Sequence, residues 1–337
     1  AILIGRFQPF HNGHAALLRA TLAQAGRVVV VPGSSFRSRN ARNPFTWEER
    51  AEMIAASLDE GEARRVTFIP VRDYYDDRRW AAAVEEGVRA ELEKSGIAAP
   101  RTALVGFHKD ASSDYLGLFP NWSFVALERQ GEFDATAVRQ CYFGTDDASA
   151  RRAALQKRVP PPVVRYLEHW ATLPAFAAMR DEHRAIEDYK KKWGSGPFVT
   201  LDAVVTVASH LLLVRRKNAP GKGLWALPGG FLDGRERLLA GAIRELREET
   251  GLDAPDAELA AALREVAVFD HPDRSQRGRI ITHAHWFDLP FAALPDVAGA
   301  DDAAEARWIP LAALPAMETD LFEDHFSIIN RFLRIAA

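Results

Sequence analysis

The sequence predicts an α/β protein with two domains, an N-terminal doubly wound parallel sheet and a C-terminal α/β domain that is rich in strands. Three observations predict this architecture. Short apolar runs alternate with helical stretches in the N-terminal half, as in parallel sheets. The pattern turns strand-rich at Phe198, and the glycine-containing segment 193–197 precedes that change. We therefore expect one domain over 1–185, a linker over 186–197 and a second domain over 198–337.

The elements of the first domain follow from its apolar runs. We expect strands at 1–4, 27–31, 66–71, 102–105 and 123–127, with helices from about 14 to 25, 46 to 58 and 77 to 94. Ligands of such sheets bind outside the carboxyl ends of the strands. The segment Gly5–His14, GRFQPFHNGH, falls at that edge directly after the first strand.

The remaining elements follow in order along the chain. After Pro160-Pro161-Pro162 we expect helices at 163–172 and 174–192, and beyond Phe198 strands at 199–207, 210–216, 263–270, 280–289 and 307–310. Between the second and third of these strands the sequence predicts a helix over 235–250, which Gly251 would terminate.

Composition limits the classes of function. The chain has 337 residues, 47% hydrophobic content and a net charge of −3, which gives no electrostatic reason to expect nucleic-acid or membrane partners. Its one cysteine, Cys141, excludes an internal disulfide and fits a cytoplasmic protein, and no secretion signal or span of transmembrane length is visible. The oligomeric state stays open, a homo-oligomer included.

One segment of the second domain carries a pattern of fixed letters. From Gly230 to Leu252 the chain matches Gly-x5-Glu-x7-Arg-Glu-apolar-x-Glu-Glu-x-Gly-apolar at every fixed position. On a helix, Glu245, Glu248 and Glu249 fall at i, i+3 and i+4, so they share one face and can bind a hard divalent cation. The alternative, a solvated glutamate-rich face, does not explain the glycines that flank the segment on both sides.

This pattern resembles the Nudix hydrolase family. The resemblance implies an α/β/α sandwich in which Mg²⁺, with Mn²⁺ as an alternative, activates water to cleave a nucleoside diphosphate derivative. It also implies Glu245, Glu248, Glu249 and the Gly230 carbonyl as metal ligands, with Glu236 and Arg244 as orienting groups. Nudix enzymes often keep another catalytic carboxylate in a late acidic loop, and here that loop holds Asp301, Asp302 and Glu305, of which Glu305 is the candidate.

The N-terminal segment GRFQPFHNGH carries another motif, which is the first along the chain, so the pattern at 230–252 is the second motif. His11 and His14 lie three residues apart where a strand passes through a glycine-containing loop into a helix, and such a helix N-terminus binds anions. Two histidines alone would be incidental surface residues. The full string resembles the HxGH loop of the nucleotidyltransferase superfamily, with its Rossmann-like sheet, in the form found in archaeal-type nicotinamide mononucleotide (NMN) adenylyltransferases.

Three further segments extend that resemblance: 42–50, which contains Arg-Asn-Pro-Phe-Thr, 104–115, and 135–139, where Ala135 replaces the usual serine. The resemblance implies phosphate binding by Arg6, His11, His14, Arg42 and Arg139. It implies nucleotide contacts at Gly5, Phe7, Gln8, Gly13, Asn43, Trp47, Gly106, Lys109, Asp110 and Thr136. Trp47 would stack on the nicotinamide ring, although a core position for it is equally consistent with the sequence.

The two resemblances together predict a bifunctional enzyme of NAD metabolism. The first domain would join NMN to ATP, giving NAD⁺ and diphosphate, and the second would hydrolyse ADP-ribose to AMP and ribose 5-phosphate. One alternative is that the second domain is a nucleotide sensor for the first, or cleaves another dinucleotide. Another is that the first domain adenylylates phosphopantetheine or serves a cytidylyl acceptor.

Overall fold

The protein is described by a computed structural model that covers residues 1–97, 101–106, 117–127 and 133–336. The chain forms two compact units, Ala1–Arg180 and Asp181–Ala337. The division falls within a helix, Pro174–Trp193, so residues 186–193 of the predicted linker are helical. Each unit is considered separately below.

Unit 1 contains a parallel sheet. Its described strands are β1 (Ile2–Gly5), β2 (Val28–Pro32), β3 (Val66–Phe68), β4 (Ala103–Gly106) and β5 (Ser123–Ala126). They are ordered β3-β2-β1-β4-β5, and every pairing is parallel. The order reverses between β1 and β4, and ligands of doubly wound sheets bind outside the strand ends at such a point.

Helices cover both faces of this sheet, as predicted. The described helices are α1 (Asn12–Leu22), α2 (Trp47–Ala55), α3 (Glu60–Ala63), α4 (Asp77–Lys94), α5 (Ala135–Phe143), α6 (Ala148–Gln156), α7 (Pro161–Trp170) and α8 (Pro174–Trp193). Leu3 packs with Leu18 of α1 and Ile54 of α2, whereas Ile2 packs with Val84 of α4. Neighbouring residues of a strand point to opposite faces of the sheet. The contacts of Ile2 and Leu3 therefore show that α4 lies on one face and that α1 and α2 lie on the other.

Unit 2 contains a mixed sheet. Its described strands are β6 (Phe198–Val207), β7 (His210–Arg216), β8 (Trp225–Ala226), β9 (Gly229–Phe231), β10 (Leu263–Phe269), β11 (Ile280–Asp288) and β12 (Ala303–Pro310). The main order is β10-β11-β6-β7-β12, while β8 pairs with β7 and β9 pairs with β6. The last strand begins at Ala303, four residues before the predicted start, since the acidic loop continues into the sheet.

Three α-helices and a 3₁₀ segment are described between and after these strands: α9 (Leu238–Thr250), α10 (Asp256–Ala261), the 3₁₀ segment Leu311–Asp320 and α11 (His325–Leu333). Leu246 of α9 packs against Leu201 and Ala203 of β6. On the other face of that strand, Val204 packs with Ile328 and Ile329 of α11. The sheet of unit 2 is therefore sandwiched between helices.

Helix α9 is shorter than the predicted helix 235–250. It begins at Leu238, because residues 232–237 form the loop in which Glu236 turns back toward the helix. It ends as predicted, with Gly251 at φ 61° in the left-handed region. None of the helices in the described ranges combines the length and apolarity needed to traverse a bilayer.

Candidate active sites

The loop after β1 is closed by the two histidines of the first motif. Asn12 begins helix α1, and the backbone N–H of His14 donates to Nδ1 of His11 while the N–H of His11 donates to Nδ1 of His14, both at 3.3 Å. The two rings stack with centroids 3.6 Å apart. A Cβ at Gly13 would lie 3.2 Å from the His11 ring, so this position has room for little more than glycine.

Three guanidinium groups gather beside this loop. The side chain of Arg139, from α5, is largely buried and donates to the Gln8 carbonyl at 2.8 Å. Burial, with the charges of Arg6 and Arg42 acting in the same direction, lowers the pKa of Arg139 to about 10. The sequence-predicted cations therefore come together, and their mutual repulsion favours an anion between them.

The loop after β2 is tied to the loop after β1 through Gln8. Both amide atoms of this buried side chain bond to the backbone of Phe45, with Nε2 donating to O at 2.8 Å and N donating to Oε1 at 3.0 Å. Asn40 Oδ1 accepts from the N–H groups of Arg42 and Asn43. The Asn43 side-chain oxygen is buried and has no donor among the described residues, so it can accept a hydrogen bond from a ligand.

The other nucleotide-binding candidates occupy different positions. Phe7 is buried with φ 51°, Gly5 and Gly106 end β1 and β4, and half-buried Trp47 begins α2. Thr136 Oγ1 accepts from Arg139 Nη2 at 3.2 Å, which orients that guanidinium. Lys109 and Asp110 lie outside the described residues.

In unit 2 the fixed letters of the second motif meet around strand β9. The carboxylate of Glu245 lies against Gly230, where a Cβ would come within 2.5 Å of Oε1, so a larger residue would displace this carboxylate. Glu249 Oε2 accepts the Gly229 N–H at 3.0 Å. The space beside Gly241 is taken by the side chains of Glu236 and Leu201.

Arg244 connects the acidic groups. Its guanidinium donates to both oxygens of Glu236 at 3.0 Å, to Glu245 Oε1 at 2.9 Å and to Glu248 Oε2 at 2.8 Å. Arg244 and Glu248 are therefore paired across one turn of α9. One cation thus balances three carboxylates of the motif.

Glu249 is the acidic group with the strongest perturbation in this cluster. Burial of its side chain, with the charges of nearby Glu245 and Asp202 acting in the same direction, raises its pKa to about 8. Burial also raises the pKa of Glu245, and the charges of Glu248 and Asp301 act in the same direction. Asp202, on β6, is a member of this cluster that the sequence did not reveal.

The late acidic loop approaches the end of α9. The N–H groups of Ala298 and Ala300 donate to the carbonyls of Thr250 and Glu249. This holds Asp301, at φ 50°, where its charge acts on Glu245. Glu305, the candidate named from the sequence, pairs instead with Arg307 and lies 4.0 Å from Arg215.

A divalent cation fits the chemistry of this donor set. Glu245, Glu248, Glu249 and the Gly230 carbonyl offer the oxygen ligands that Mg²⁺ and Mn²⁺ accept, and two of these carboxylates are buried with raised pKa values. In the described part of the chain no three acidic, histidine or cysteine side chains are arranged to hold an ion as they stand. Arg244, bonded to Glu245 and Glu248, supplies the positive charge there.

Two family models match the chain. Residues 197–332 match the NUDIX domain, and residues 2–84 match the cytidylyltransferase-like family. The first range contains all of the acidic cluster, and the second contains the histidine loop.

Individual proteins cover both halves. The crystal structure of a bifunctional NMN adenylyltransferase/ADP-ribose pyrophosphatase from Francisella tularensis, complexed with AMP and Mn, is 33% identical and matches 99% of this chain and 98% of its own with a TM-score of 0.87. The chain belongs to this bifunctional family.

Two single-function relatives match the two halves of this family member separately. A nicotinamide/nicotinic acid mononucleotide adenylyltransferase of Acinetobacter baylyi is 32% identical over 185 residues, which are 55% of this chain and 93% of the relative. An ADP-ribose pyrophosphatase of Methanocaldococcus jannaschii is 35% identical over 138 residues, which are 41% of this chain and 74% of the relative.

Proposed function

We propose that unit 1 catalyses attack of the NMN 5′-phosphate on the α-phosphorus of ATP, forming NAD⁺ and releasing diphosphate. The bifunctional relative and the adenylyltransferase relative support this activity. No protein nucleophile is needed, since the attacking group belongs to the substrate. The protein contributes positioning and groups that stabilise negative charge on the transferring phosphoryl group.

The cationic cluster gives these roles to particular residues. Arg6, Arg42 and Arg139 neutralise phosphate oxygens, and the His11 and His14 rings donate from the start of α1, where the helix dipole adds to the attraction. Asn43 offers a buried acceptor to the acceptor nucleotide. Mg²⁺ would enter with ATP and would neutralise part of the triphosphate charge.

We propose that unit 2 hydrolyses ADP-ribose to AMP and ribose 5-phosphate. When bound, Mg²⁺ or Mn²⁺ would neutralise the diphosphate and lower the pKa of an attacking water. Glu245, Glu248, Glu249 and the Gly230 carbonyl would hold the ion, and Arg244 and Glu236 orient these carboxylates. Asp301 is the acidic residue that we assign to the late loop, in place of Glu305.

The geometry at β9 is the observation on which the hydrolase assignment depends most: Glu245 lies against Gly230, and Glu249, with a pKa raised to about 8, accepts the Gly229 N–H. A sensor of intact ADP-ribose need not keep carboxylates that bind metal, and this chain keeps Glu245, Glu248 and Glu249. Release of AMP from ADP-ribose by the full chain, with Mg²⁺ and with excess chelator, tests the assignment. AMP formation that ignores the chelator, or binding without turnover, would favour the sensor.

The transferase assignment needs a separate test, because its acceptor is defined only by the relatives. The full chain is incubated with ATP and, in parallel, with NMN, nicotinic acid mononucleotide or phosphopantetheine. We expect dinucleotide formation from NMN together with stoichiometric diphosphate. Transfer to phosphopantetheine alone would contradict the proposal.

A further inference from the structure

Arg50, the fourth residue of α2, is a fully buried cation, with 0% of its surface exposed. Its hydrogen-bond partners among the described residues are uncharged oxygens. Nη1 donates to the Arg6 carbonyl at 2.6 Å and the Gly33 carbonyl at 2.7 Å, Nη2 to Ser35 Oγ at 3.2 Å and Nε to the Thr46 carbonyl at 3.1 Å. A guanidinium buried in this way carries a desolvation cost that no bonded carboxylate offsets.

These bonds connect the loops that follow two neighbouring strands. Arg6 comes directly after β1 and Gly33 directly after β2, and the Gly33 N–H donates to the Gly5 carbonyl at 3.0 Å. Ser35 Oγ donates in turn to the Pro32 carbonyl at 2.7 Å. One nitrogen of Arg50 therefore fixes the separation of the two backbones at the carboxyl edge of the sheet.

The same edge holds the groups that face phosphate. The Arg6 carbonyl is held by Arg50, while the charge of the Arg6 side chain acts on Arg139 within the cationic cluster. Burial lowers the pKa of Arg50 to about 10, so this side chain remains charged at neutral pH. An apolar residue of similar volume would fill the space without the desolvation cost, but it could not bind two carbonyls.

We propose that Arg50 is a positioning residue for adenylyl transfer, which holds the loops after β1 and β2 at the separation that the reacting phosphates require. The inference rests on the transferase activity proposed above and assigns it a residue that does not touch substrate. Loss of such positioning lowers kcat more than it raises KM, because ground-state contacts tolerate small shifts that the in-line transfer does not.

Arg65 provides a matched control in the same unit. Its guanidinium also binds only backbone carbonyls in the described residues, those of Leu22, Ala25 and Gly26. It lies directly before β3, and its own carbonyl accepts from Val28 at the start of β2, so it lies at the opposite edge of the sheet. Its loss removes comparable bonds without touching the loops of the candidate site.

The experiment compares Arg50→Lys, Arg50→Met, Arg65→Lys and Arg65→Met in the full chain. The readouts are kcat and KM for NMN and ATP, the thermal unfolding midpoint, and ADP-ribose hydrolysis as an internal measure of intact protein. We expect kcat for transfer to fall about 100-fold in Arg50→Met and about tenfold in Arg50→Lys, with each KM changed less than about threefold. Both Arg65 variants should keep kcat within about twofold while their unfolding midpoint falls.

Equal kcat values in the Arg50 and Arg65 variants, at temperatures where all are folded, would overturn the inference. So would a loss that lies wholly in KM. If Arg50→Met does not fold, Arg50→Lys decides, since it keeps charge and approximate volume. If the wild-type chain forms no dinucleotide from NMN, the proposed function is overturned and this inference with it. If the wild type is active and the Arg50 variants keep its kcat, the inference alone is overturned.

Discussion

The two candidate sites are built with opposite charge. In unit 1, Arg6 and Arg42 lower the pKa of an already buried Arg139 to about 10. In unit 2, Glu245 and Asp202 help burial to raise the pKa of Glu249 to about 8. Each cluster brings several groups of like charge together.

The difference in charge reflects the charges of the substrates and the source of the metal in each reaction. A triphosphate and a mononucleotide carry negative charge and their own magnesium, so the transferase site needs cations and N–H donors. The hydrolase site would hold its own divalent metal, so it needs carboxylates. Substitutions in one cluster should therefore leave the other activity unchanged, which makes each activity the control for the other.

The largest effect is expected from Glu249→Gln. The amide cannot replace a charged metal ligand, so AMP release should fall on the order of 1,000-fold, while NAD⁺ formation is unchanged. The unfolding midpoint should not fall, because the neutral amide resembles the protonated carboxyl that the raised pKa of Glu249 favours at neutral pH. Glu258→Gln, on exposed surface of α10, is the control. Retained hydrolysis in Glu249→Gln would exclude this residue from the metal site.

Substitution of the histidines should produce the reverse pattern. We expect His14→Ala and His11→Asn to lower NAD⁺ formation about 100-fold, because each removes a donor to the phosphates, and to leave AMP release intact. Asparagine is a good N-cap residue, so His11→Asn should unfold at nearly the wild-type temperature. Full transferase activity in His11→Asn would show that the ring serves only as a cap.

A smaller effect is expected from Arg244→Lys. Lysine keeps the charge but cannot bind Glu236, Glu245 and Glu248 together, so the carboxylates lose their orientation and hydrolysis should fall about 30-fold. The control is Arg247→Lys, the same substitution at another arginine about one turn further along α9, which should alter the rate of hydrolysis less than about twofold. Steady-state AMP release measures both, and equal rates would contradict the orienting role.

The smallest effect distinguishes the two acidic candidates of the late loop. Asp301→Asn removes a charge that acts on Glu245, so hydrolysis should fall about tenfold. Glu305→Gln removes only the pairs with Arg215 and Arg307 and should stay within about twofold of wild type. The opposite ranking would restore Glu305 as the catalytic candidate.

Local pattern predicted most of the fold. Strand β7 and helix α4 have the predicted bounds because their periodicity runs uninterrupted to a turn or a cap. Helix α11 was missed, although Phe326, Ile329 and Phe332 repeat at helical spacing and could have revealed it. The alternation of strands and helices before residue 198, and the strand-rich pattern after it, were sufficient to predict a sheet in each domain.

The sites were predictable only where fixed letters stand close together in sequence. The glutamates of α9 and the paired histidines were found in this way. Contacts between distant segments had no such signal: Arg50 meets Arg6 across 44 positions, and Arg139 meets Gln8 across 131. The choice between Asp301 and Glu305 depends on how the late acidic loop packs against the end of α9. This loop has no periodic pattern, so the spacing of its residues in the sequence does not predict its conformation.

The reciprocal cap of His11 and His14 fixes the tautomer of both rings. Because each Nδ1 accepts a backbone N–H, neither ring can carry hydrogen there while the cap is intact. Each neutral imidazole must then hold its hydrogen on Nε2. Local chain geometry thus leaves Nε2 as the donor atom of each ring, so both rings can present an N–H to a ligand while the cap is intact.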